Sequence, residues 1–208
     1  MNSAVPKVSE EYKEQKRQEL LKSAMACFAE KGYQSATIDD IVARSGMSKG
    51  AVYNYFSSKE DIYLTLLSRA RQRNFEVLNQ EINNQGSAVE KLEHIFNIYS
   101  DISYTNHDWL DRHRVQIEFY MNASRYEDLN ERMREHGEVF RNFIIEIVEE
   151  GKRNGEFKDD ADSYLVAETF WSFTDGMFLH LLVEKEKYPF KKLYKTIGTM
   201  ILDHLKKE

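Results

Sequence analysis

Cysteine, proline and glycine are all scarce in this sequence. Its 208 residues include one cysteine, two prolines and nine glycines. A single cysteine, Cys27, excludes an intrachain disulfide, and its place in a helical pattern favours a small packing residue over a reactive thiol. The scarcity of chain-breaking residues favours long helices over many short strands and turns.

Long apolar runs are also missing. No stretch approaches the roughly 18 consecutive apolar residues that a membrane span requires. Residues 1–18 are polar and lack the apolar centre of a signal peptide. These absences predict a cytoplasmic protein with no membrane partner.

The net charge of −6 argues against nucleic-acid binding until its distribution is considered. Residues 1–66 hold nine Lys or Arg and nine Asp or Glu, so the acidic excess belongs to the rest of the chain. Residues 41–59 contain Arg44, Lys49 and Lys59 and no acid. A local basic face can bind phosphates on an acidic protein, because salt screens charges beyond about 8–10 Å.

Apolar residues recur at helical spacing along most of the chain, and no segment alternates convincingly with a period of two. The sequence therefore predicts an all-α fold. Predicted helices cover residues 10–31, 38–45, 48–56, 59–84, 87–104, 107–123, 125–153, 160–186 and 190–207.

Two of these helices, 38–45 and 48–56, are short and are separated by a tight turn at Gly46, which is the spacing of a helix-turn-helix. Glycine suits the turn because it tolerates a positive φ. The pattern assigns an apolar inner face to Ile41, Val42, Val52 and Phe56. The outer face of the second helix combines a small profile with hydrogen-bond donors, as entry into a major groove requires. Its members are Lys49, Gly50, Ala51, Tyr53 and Asn54.

Residues 32–62 resemble the DNA-binding segment of the tetracycline-repressor (TetR) family of transcription regulators. Val42 stands where the family usually has alanine and Ile62 where it usually has leucine, and both changes are conservative. The resemblance implies two parts: an N-terminal three-helix helix-turn-helix DNA-binding domain at 1–66, and a C-terminal helical ligand-binding and dimerisation domain at 67–208. The matching residues are Gly32-Tyr33, Thr37 to Val42, Ser45 to Phe56 (SGMSKGAVYNYF) and Ser58-Lys59.

The resemblance also implies roles on a double-stranded DNA operator. Thr37 and Ser48 are expected to cap helices and touch phosphate, and Tyr55 and Lys59 to contact the DNA backbone. Base edges or the adjoining backbone are expected to meet Lys49, Gly50, Ala51 and Tyr53, with Asn54 on the same outer face.

The last two helices are the predicted pairing surface of a homodimer. Helix 160–186 is apolar on more than one side, so one side is expected to face its own domain and another a partner. The resemblance implies a four-helix interface, and two-fold pairing matches a palindromic operator. The predicted interface residues are Phe170, Phe173, Thr174, Met177, Leu181, Tyr194, Ile197, Ile201 and Leu205.

The resemblance further implies a cavity for a small, largely apolar effector among the C-terminal helices. Effector binding is expected to tilt helix 59–84, change the spacing of the two DNA-binding heads and release a repressor from its operator. Polar orienting groups are expected among His113, Glu118 and Asp175. The predicted pocket residues are Phe96, Trp109, His113, Phe119, Tyr120, Phe140, Phe143, Trp171, Asp175 and Phe178.

Catalysis is not expected, and neither is a metal or cofactor. The six histidines show no metal-ligand spacing, and there is no glycine-rich phosphate loop, nucleophile elbow or paired-cysteine motif. Two alternatives stay open: a helical scaffold whose N-terminal module binds a protein, and an activator in place of a repressor. Loss of duplex binding on mutation of Lys49 and Tyr53, with dimerisation retained, would favour the regulator over the scaffold.

Overall fold

A computed structural model of the protein describes residues 9–82, 85–102 and 105–207, and within these ranges it is built from α-helices. The all-α prediction is confirmed. Residues 1–8 and the predicted helix ends at 84 and 104 lie outside the described residues. The helices are α1 Glu10–Lys31, α2 Ile38–Ser45, α3 Lys49–Tyr55, α4 Lys59–Ile82, α5 Ala88–Ser100, α6 His107–Ala123, α7 Glu127–Arg153, α8 Ser163–Glu184 and α9 Phe190–Leu205.

Most helix ends agree with the predictions because local capping sets them. The Ser87 hydroxyl accepts the Glu90 N–H, and the Glu90 side chain returns to the Ser87 backbone, so α5 begins with a capping box. The start of α8 was predicted three residues too early. The Asp162 carboxylate accepts the N–H of Leu165, which fixes Asp162 as the cap and Ser163 as the first helical residue.

Two clusters of buried side chains hold the fold together. The N-terminal cluster joins α1–α3 and the first turns of α4, and it includes Phe28, Ile41, Val52 and Ile62. The C-terminal cluster joins the end of α4 to α5, α7, α8 and α9. Since each cluster excludes its own apolar surface from water, each is a separate source of stability.

Helix α6 contributes to both clusters. Its first turn places Leu110 in the C-terminal cluster, whereas Val115, Phe119 and Ala123 are at most 1% exposed in the N-terminal cluster. The N-terminal core is therefore completed by a helix from the C-terminal half of the chain. The boundary at 66/67 stays a prediction, and α6 joins α4 as a second physical connection between the two halves.

Within the described ranges, no helix combines the length and the hydropathy that crossing a membrane requires.

Candidate nucleic-acid interface and ligand region

The helix-turn-helix is formed by local hydrogen bonds. The Thr37 hydroxyl accepts the Asp40 N–H at 3.2 Å, and the Asp40 carboxylate accepts the Thr37 N–H at 2.9 Å, which closes a capping box on α2. Gly46 ends α2 with φ +67°, the left-handed conformation that favours glycine. Ser48 then caps α3 by accepting the Ala51 N–H at 3.2 Å. The predicted capping roles of Thr37 and Ser48 are confirmed.

The two faces of α3 separate as the sequence predicts. Val52 is fully buried and Phe56 is 2% exposed, so both belong to the core. On the opposite side Lys49, Gly50 and Asn54 are exposed, and Tyr53 keeps 49% of its surface. The remaining predicted contacts are Thr37 and Ser48, both exposed, and Ala51 and Tyr55, both half-buried.

Cations around α3 are paired with acids from neighbouring helices. Lys49 Nζ lies 2.7 Å from the Asp39 carboxylate, and Arg44 pairs with Glu30 of α1. These pairs are exposed, and exposed pairs contribute only about 0–1 kcal/mol each. An approaching phosphate can therefore replace the acid at little cost, so Lys49 remains available to a polyanion.

Lys59 has a structural role that the sequence did not predict. Its ammonium donates to the carbonyl oxygens of Tyr33, Gln34 and Ala36 at 2.8, 3.2 and 3.0 Å, and it lies 4.5 Å from the centre of the Tyr33 ring. All three of its hydrogens are used within the chain. Burial lowers the pKa of Lys59. In the described structure Lys59 fastens the α1–α2 connection to the start of α4, and its contact with the DNA backbone stays a prediction.

The junction between the DNA-binding head and the rest of the chain is aromatic. The Phe119 ring lies 4.9 Å from Tyr33 and 4.4 Å from Tyr63, and it is fully buried. The neighbouring Glu118 carboxylate accepts a hydrogen bond from the Tyr33 N–H, and the Gln34 side-chain amide donates to Oδ1 of Asn122 on α6 at 2.6 Å. Phe119 and Glu118 were predicted near an effector. Both instead join α6 to the head, because one face of α6 closes the N-terminal core.

A cleft of about 440 Å³ lies beside this junction. Tyr33, Lys59 and Asn122 line it together with Arg132. None of the predicted pocket residues contributes to its lining, so it is distinct from the region predicted to hold the effector.

The other predicted pocket residues gather between α5, α6, α7 and α8. The Trp109 ring stacks on His113 at 3.5 Å and lies 4.3 Å from Phe178, whereas Trp171 contacts Phe140 at 5.2 Å. Phe96 and Phe143 are correctly placed in this half but are packed in the core, at 5% and 6% exposure. Seven predicted residues together with the neighbouring Tyr99 form a group that we call the aromatic recess: Tyr99, Trp109, His113, Tyr120, Phe140, Trp171, Asp175 and Phe178.

The predicted pocket included Asp175 but did not include Tyr99. Asp175 was predicted as a polar orienting group of the pocket. Tyr99 was not assigned to a pocket, although its ring lies 6.0 Å from Trp171 in an edge-on contact. The signal for it was its position on α5, three residues after Phe96 and therefore on a neighbouring part of the same helical face.

Electrostatics in the recess are unusual. Burial raises the pKa of Asp175 to about 6. Burial lowers the pKa of His113 to about 4, although the ring donates to the Trp109 carbonyl at 3.0 Å. At neutral pH the recess therefore holds an ionised carboxylate and an uncharged imidazole.

The predicted dimer residues divide into two groups. Phe173 is 45% exposed and Ile197 is half-buried. The other seven lie inside the protomer, where they have almost no surface to offer a partner. An example is Thr174, whose hydroxyl lies 2.7 Å from both the Phe170 carbonyl and the Tyr194 hydroxyl. The buried residues are Phe170, Thr174, Met177, Leu181, Tyr194, Ile201 and Leu205.

A different set of apolar side chains is exposed on α8 and α9. Leu165, Leu179 and Val183 share one side of α8 and keep 59%, 49% and 73% of their surface, and Met200 of α9 keeps 62%. Helical periodicity alone could not identify this side, because α8 is apolar on most of its circumference and is packed by several neighbours.

Family models match both halves of the chain. The model for bacterial regulatory proteins of the tetR family matches residues 20–66, and that for the C-terminal part of BetI-type transcriptional repressors matches residues 106–206. An uncharacterized HTH-type transcriptional regulator of Bacillus subtilis, YfiR, is 26% identical over 88% of this chain and 87% of its own length.

Solved structures share the fold. The transcriptional regulator FadR of Bacillus subtilis, in complex with stearoyl-CoA, is 22% identical with a TM-score of 0.77, covering 90% of this chain and 98% of that one. A putative transcriptional regulator of Saccharomonospora viridis, in complex with choline, is 19% identical with a TM-score of 0.76, covering 94% and 100%.

Proposed function

This chain belongs to the TetR family of bacterial regulatory proteins, and we propose that it is a homodimeric repressor that leaves a palindromic operator when a small molecule binds its C-terminal half. The observation that carries the proposal is α3. Ser48 caps its N-terminus, a buried inner face anchors it, and its outer face is exposed and rich in hydrogen-bond donors.

On the operator, α3 lies in the major groove and its outer face reads base edges. Lys49 and Asn54 supply donors, and Tyr53 supplies a hydroxyl and an apolar ring. The hydroxyls of Thr37 and Ser48 lie at helix N-termini, where backbone N–H groups also favour phosphate. Lys13 and Lys16 of α1 lie within electrostatic reach of Tyr55, so they add positive potential beside the same groove.

Pairing uses the exposed apolar side of α8 together with Met200 of α9. Leu165, Phe173, Leu179 and Val183 would each be covered by a second copy of the chain. A patch of this kind on a helical protein is costly in water, and a two-fold axis buries the same patch on both copies. The same axis presents two heads to two half-sites.

Effector binding reaches the head through α6 as well as through α4. One end of α6 carries Trp109 and His113 into the aromatic recess, and the other end places Phe119 in the head's core. A ligand that fits the recess better in one position of α6 shifts the population towards that position. Since Glu118 and Phe119 hold Tyr33, the head moves with the helix, and the spacing of the two heads changes.

Two solved relatives of the same fold bind ligands of opposite charge, stearoyl-CoA in one and choline in the other. Both support a small-molecule effector for this chain. The chain acts in the cytoplasm as a regulator and not as an enzyme; activation in place of repression depends on where the operator lies relative to a promoter.

Selection of bound duplexes from a random pool tests the DNA-binding part. We expect a palindromic site, and we expect Lys49→Met to weaken binding to it about tenfold and to make the salt dependence less steep. Lys192→Met, which removes an exposed lysine of α9, is the matched control and should leave binding unchanged. Equal binding by both variants, or enrichment of no sequence, would support the scaffold alternative in place of the regulator.

A further inference from the structure

Asp175 is an ionisable group that the described structure leaves without a partner. Among the described residues, its carboxylate accepts no hydrogen bond and forms no ion pair, and burial is the single cause of its raised pKa. A carboxylate that the surrounding protein partly removes from water, and that has no partner, is unfavourable, because proteins ordinarily pair or hydrogen-bond such groups. An isolated charge in this position therefore needs an explanation.

The Asp175 carboxylate is close to three neighbouring helices and is also reached by solvent. It lies within electrostatic reach of three tyrosines on three other helices: Tyr99 of α5, Tyr120 of α6 and Tyr194 of α9. Yet Asp175 and Tyr120 both keep exposed surface, Tyr120 36% of it. Side chains that are surrounded by protein but keep exposed surface line a recess that opens to solvent.

Aromatic rings form the walls around this charge. Trp171 precedes Asp175 by one helical turn, and its ring meets Tyr99 at 6.0 Å and Phe140 at 5.2 Å. The indole Nε1 of Trp171 is buried and has no acceptor among the described residues. The faces of Trp and Tyr rings carry partial negative charge and attract cations.

Among the described side chains of the recess, none is positively charged at neutral pH. His113 is uncharged at neutral pH because burial lowers its pKa to about 4. The nearby Arg112 is engaged by Asp108 at 2.6 Å on the outer surface of α6. The recess therefore combines a negative charge with aromatic walls.

We propose that the aromatic recess binds a small organic cation, such as a quaternary or tertiary ammonium compound, with Asp175 as its counter-ion and with Trp171, Tyr99 and Tyr120 around its alkyl groups. This inference rests on the proposed function, because it names the effector class of the same region. It replaces the expected largely apolar effector with a charged one. An anionic headgroup is disfavoured there, because it would face the Asp175 carboxylate at short range.

Three compounds of similar size test the charge preference: phenyltrimethylammonium, its uncharged isostere tert-butylbenzene, and benzoate. The two tryptophans of the chain, Trp109 and Trp171, both lie in the recess, so intrinsic tryptophan fluorescence reports binding directly. We expect the cation to bind about tenfold more tightly than tert-butylbenzene and benzoate to bind weakest.

Asp175→Asn keeps the shape of the side chain and removes its charge. We expect it to weaken cation binding about tenfold and to leave tert-butylbenzene binding unchanged. The matched control is Asp203→Asn, which changes an exposed aspartate of α9 and should bind as the parent does. Equal affinity for the cation and its uncharged isostere, tightest binding of benzoate, or an unchanged cation affinity in Asp175→Asn would overturn the proposal.

Operator binding in the absence of any compound separates this proposal from the one on which it rests. If the parent and Asp175→Asn both bind the selected duplex but the cation preference is absent, the cation site is wrong and the repressor stands. If neither binds a duplex while the fluorescence titration shows the expected preference, the cation site stands and the repressor is wrong.

Discussion

Lys59→Met should destabilise the protein far more than Lys49→Met, although both lysines were expected to contact DNA. Lys59 donates to three backbone carbonyl oxygens in the connection between α1 and α2. Hydrogen bonds from a charged donor contribute about 1.5–3 kcal/mol each, but the half-buried site admits some water after substitution. The lowered pKa of Lys59 also means that burial of the ammonium opposes part of this gain. We therefore expect a loss of about 2–3 kcal/mol in total.

Methionine keeps the length and most of the packing of the lysine stem, so the substitution mainly removes the charge and the three bonds. Lys49 is the matched control because its pair with Asp39 is exposed, and its substitution should change the free energy of unfolding by no more than about 0.5 kcal/mol. Urea unfolding followed by circular dichroism measures both. A change below about 0.5 kcal/mol for Lys59→Met would show that the three carbonyl bonds do not hold the connection together.

Three further substitutions have defined outcomes. Asp175→Asn should raise the free energy of unfolding at pH 8, because an ionised Asp whose pKa is raised from 3.8 to about 6 by folding destabilises the folded state. A pKa shift of this size corresponds to roughly 3 kcal/mol, and solvent at the exposed part of the side chain reduces the expected gain to about 1 kcal/mol. The gain should disappear below pH 4, where the carboxyl group is protonated in both states, and urea titrations at the two pH values measure it. Phe173→Glu should shift the mass measured by light scattering from dimer to monomer, and an unchanged mass would remove this residue from the interface. Glu118→Gln weakens the hydrogen bond that the carboxylate accepts from the Tyr33 N–H. The effector should therefore change operator affinity several-fold less in this variant, while the affinity for the effector itself changes little. An equal effect of the effector on operator affinity in both proteins would show that α6 does not transmit the signal through this bond.

The helices could be predicted from the sequence because their ends are encoded locally. Capping by Thr37, Ser48 and Ser87 and the turn at Gly46 involve residues within four positions of each other, so a short window contains the whole interaction. The outer face of α3 was predictable for the same reason: the buried pair Val52 and Phe56 fixes which side faces out.

Contacts between distant parts of the chain could not be predicted in this way. Phe119 looks like any other aromatic residue of the C-terminal half, and only its position against Tyr33 and Tyr63 assigns it to the head. Lys59 matches the family pattern as a cation, but the carbonyl groups that hold it lie 23 to 26 residues away. Sequence patterns give residue types and faces, whereas these roles depend on which helices meet.

The dimer surface illustrates the same limit on a larger scale. Tyr194 and Leu205 fit an apolar stripe, yet both are almost completely covered by the protomer itself. A helix such as α8, which is apolar over most of its circumference, offers several sides that could be buried. Packing against α7 and α9 uses some of them, and only the folded structure identifies Leu179 and Val183 as the ones left exposed.

Operator recognition depends most on the outer face of α3, and fluorescence anisotropy of a selected palindromic duplex tests that face directly. The parent protein should bind the duplex with an affinity that falls steeply as salt rises. Tyr53→Ala should bind at least tenfold more weakly while its thermal midpoint changes little, because Tyr53 lies outside the buried core and keeps 49% of its surface exposed. Undiminished binding by Tyr53→Ala together with Lys49→Met, or an affinity that does not respond to salt, would contradict the placement of α3 on DNA.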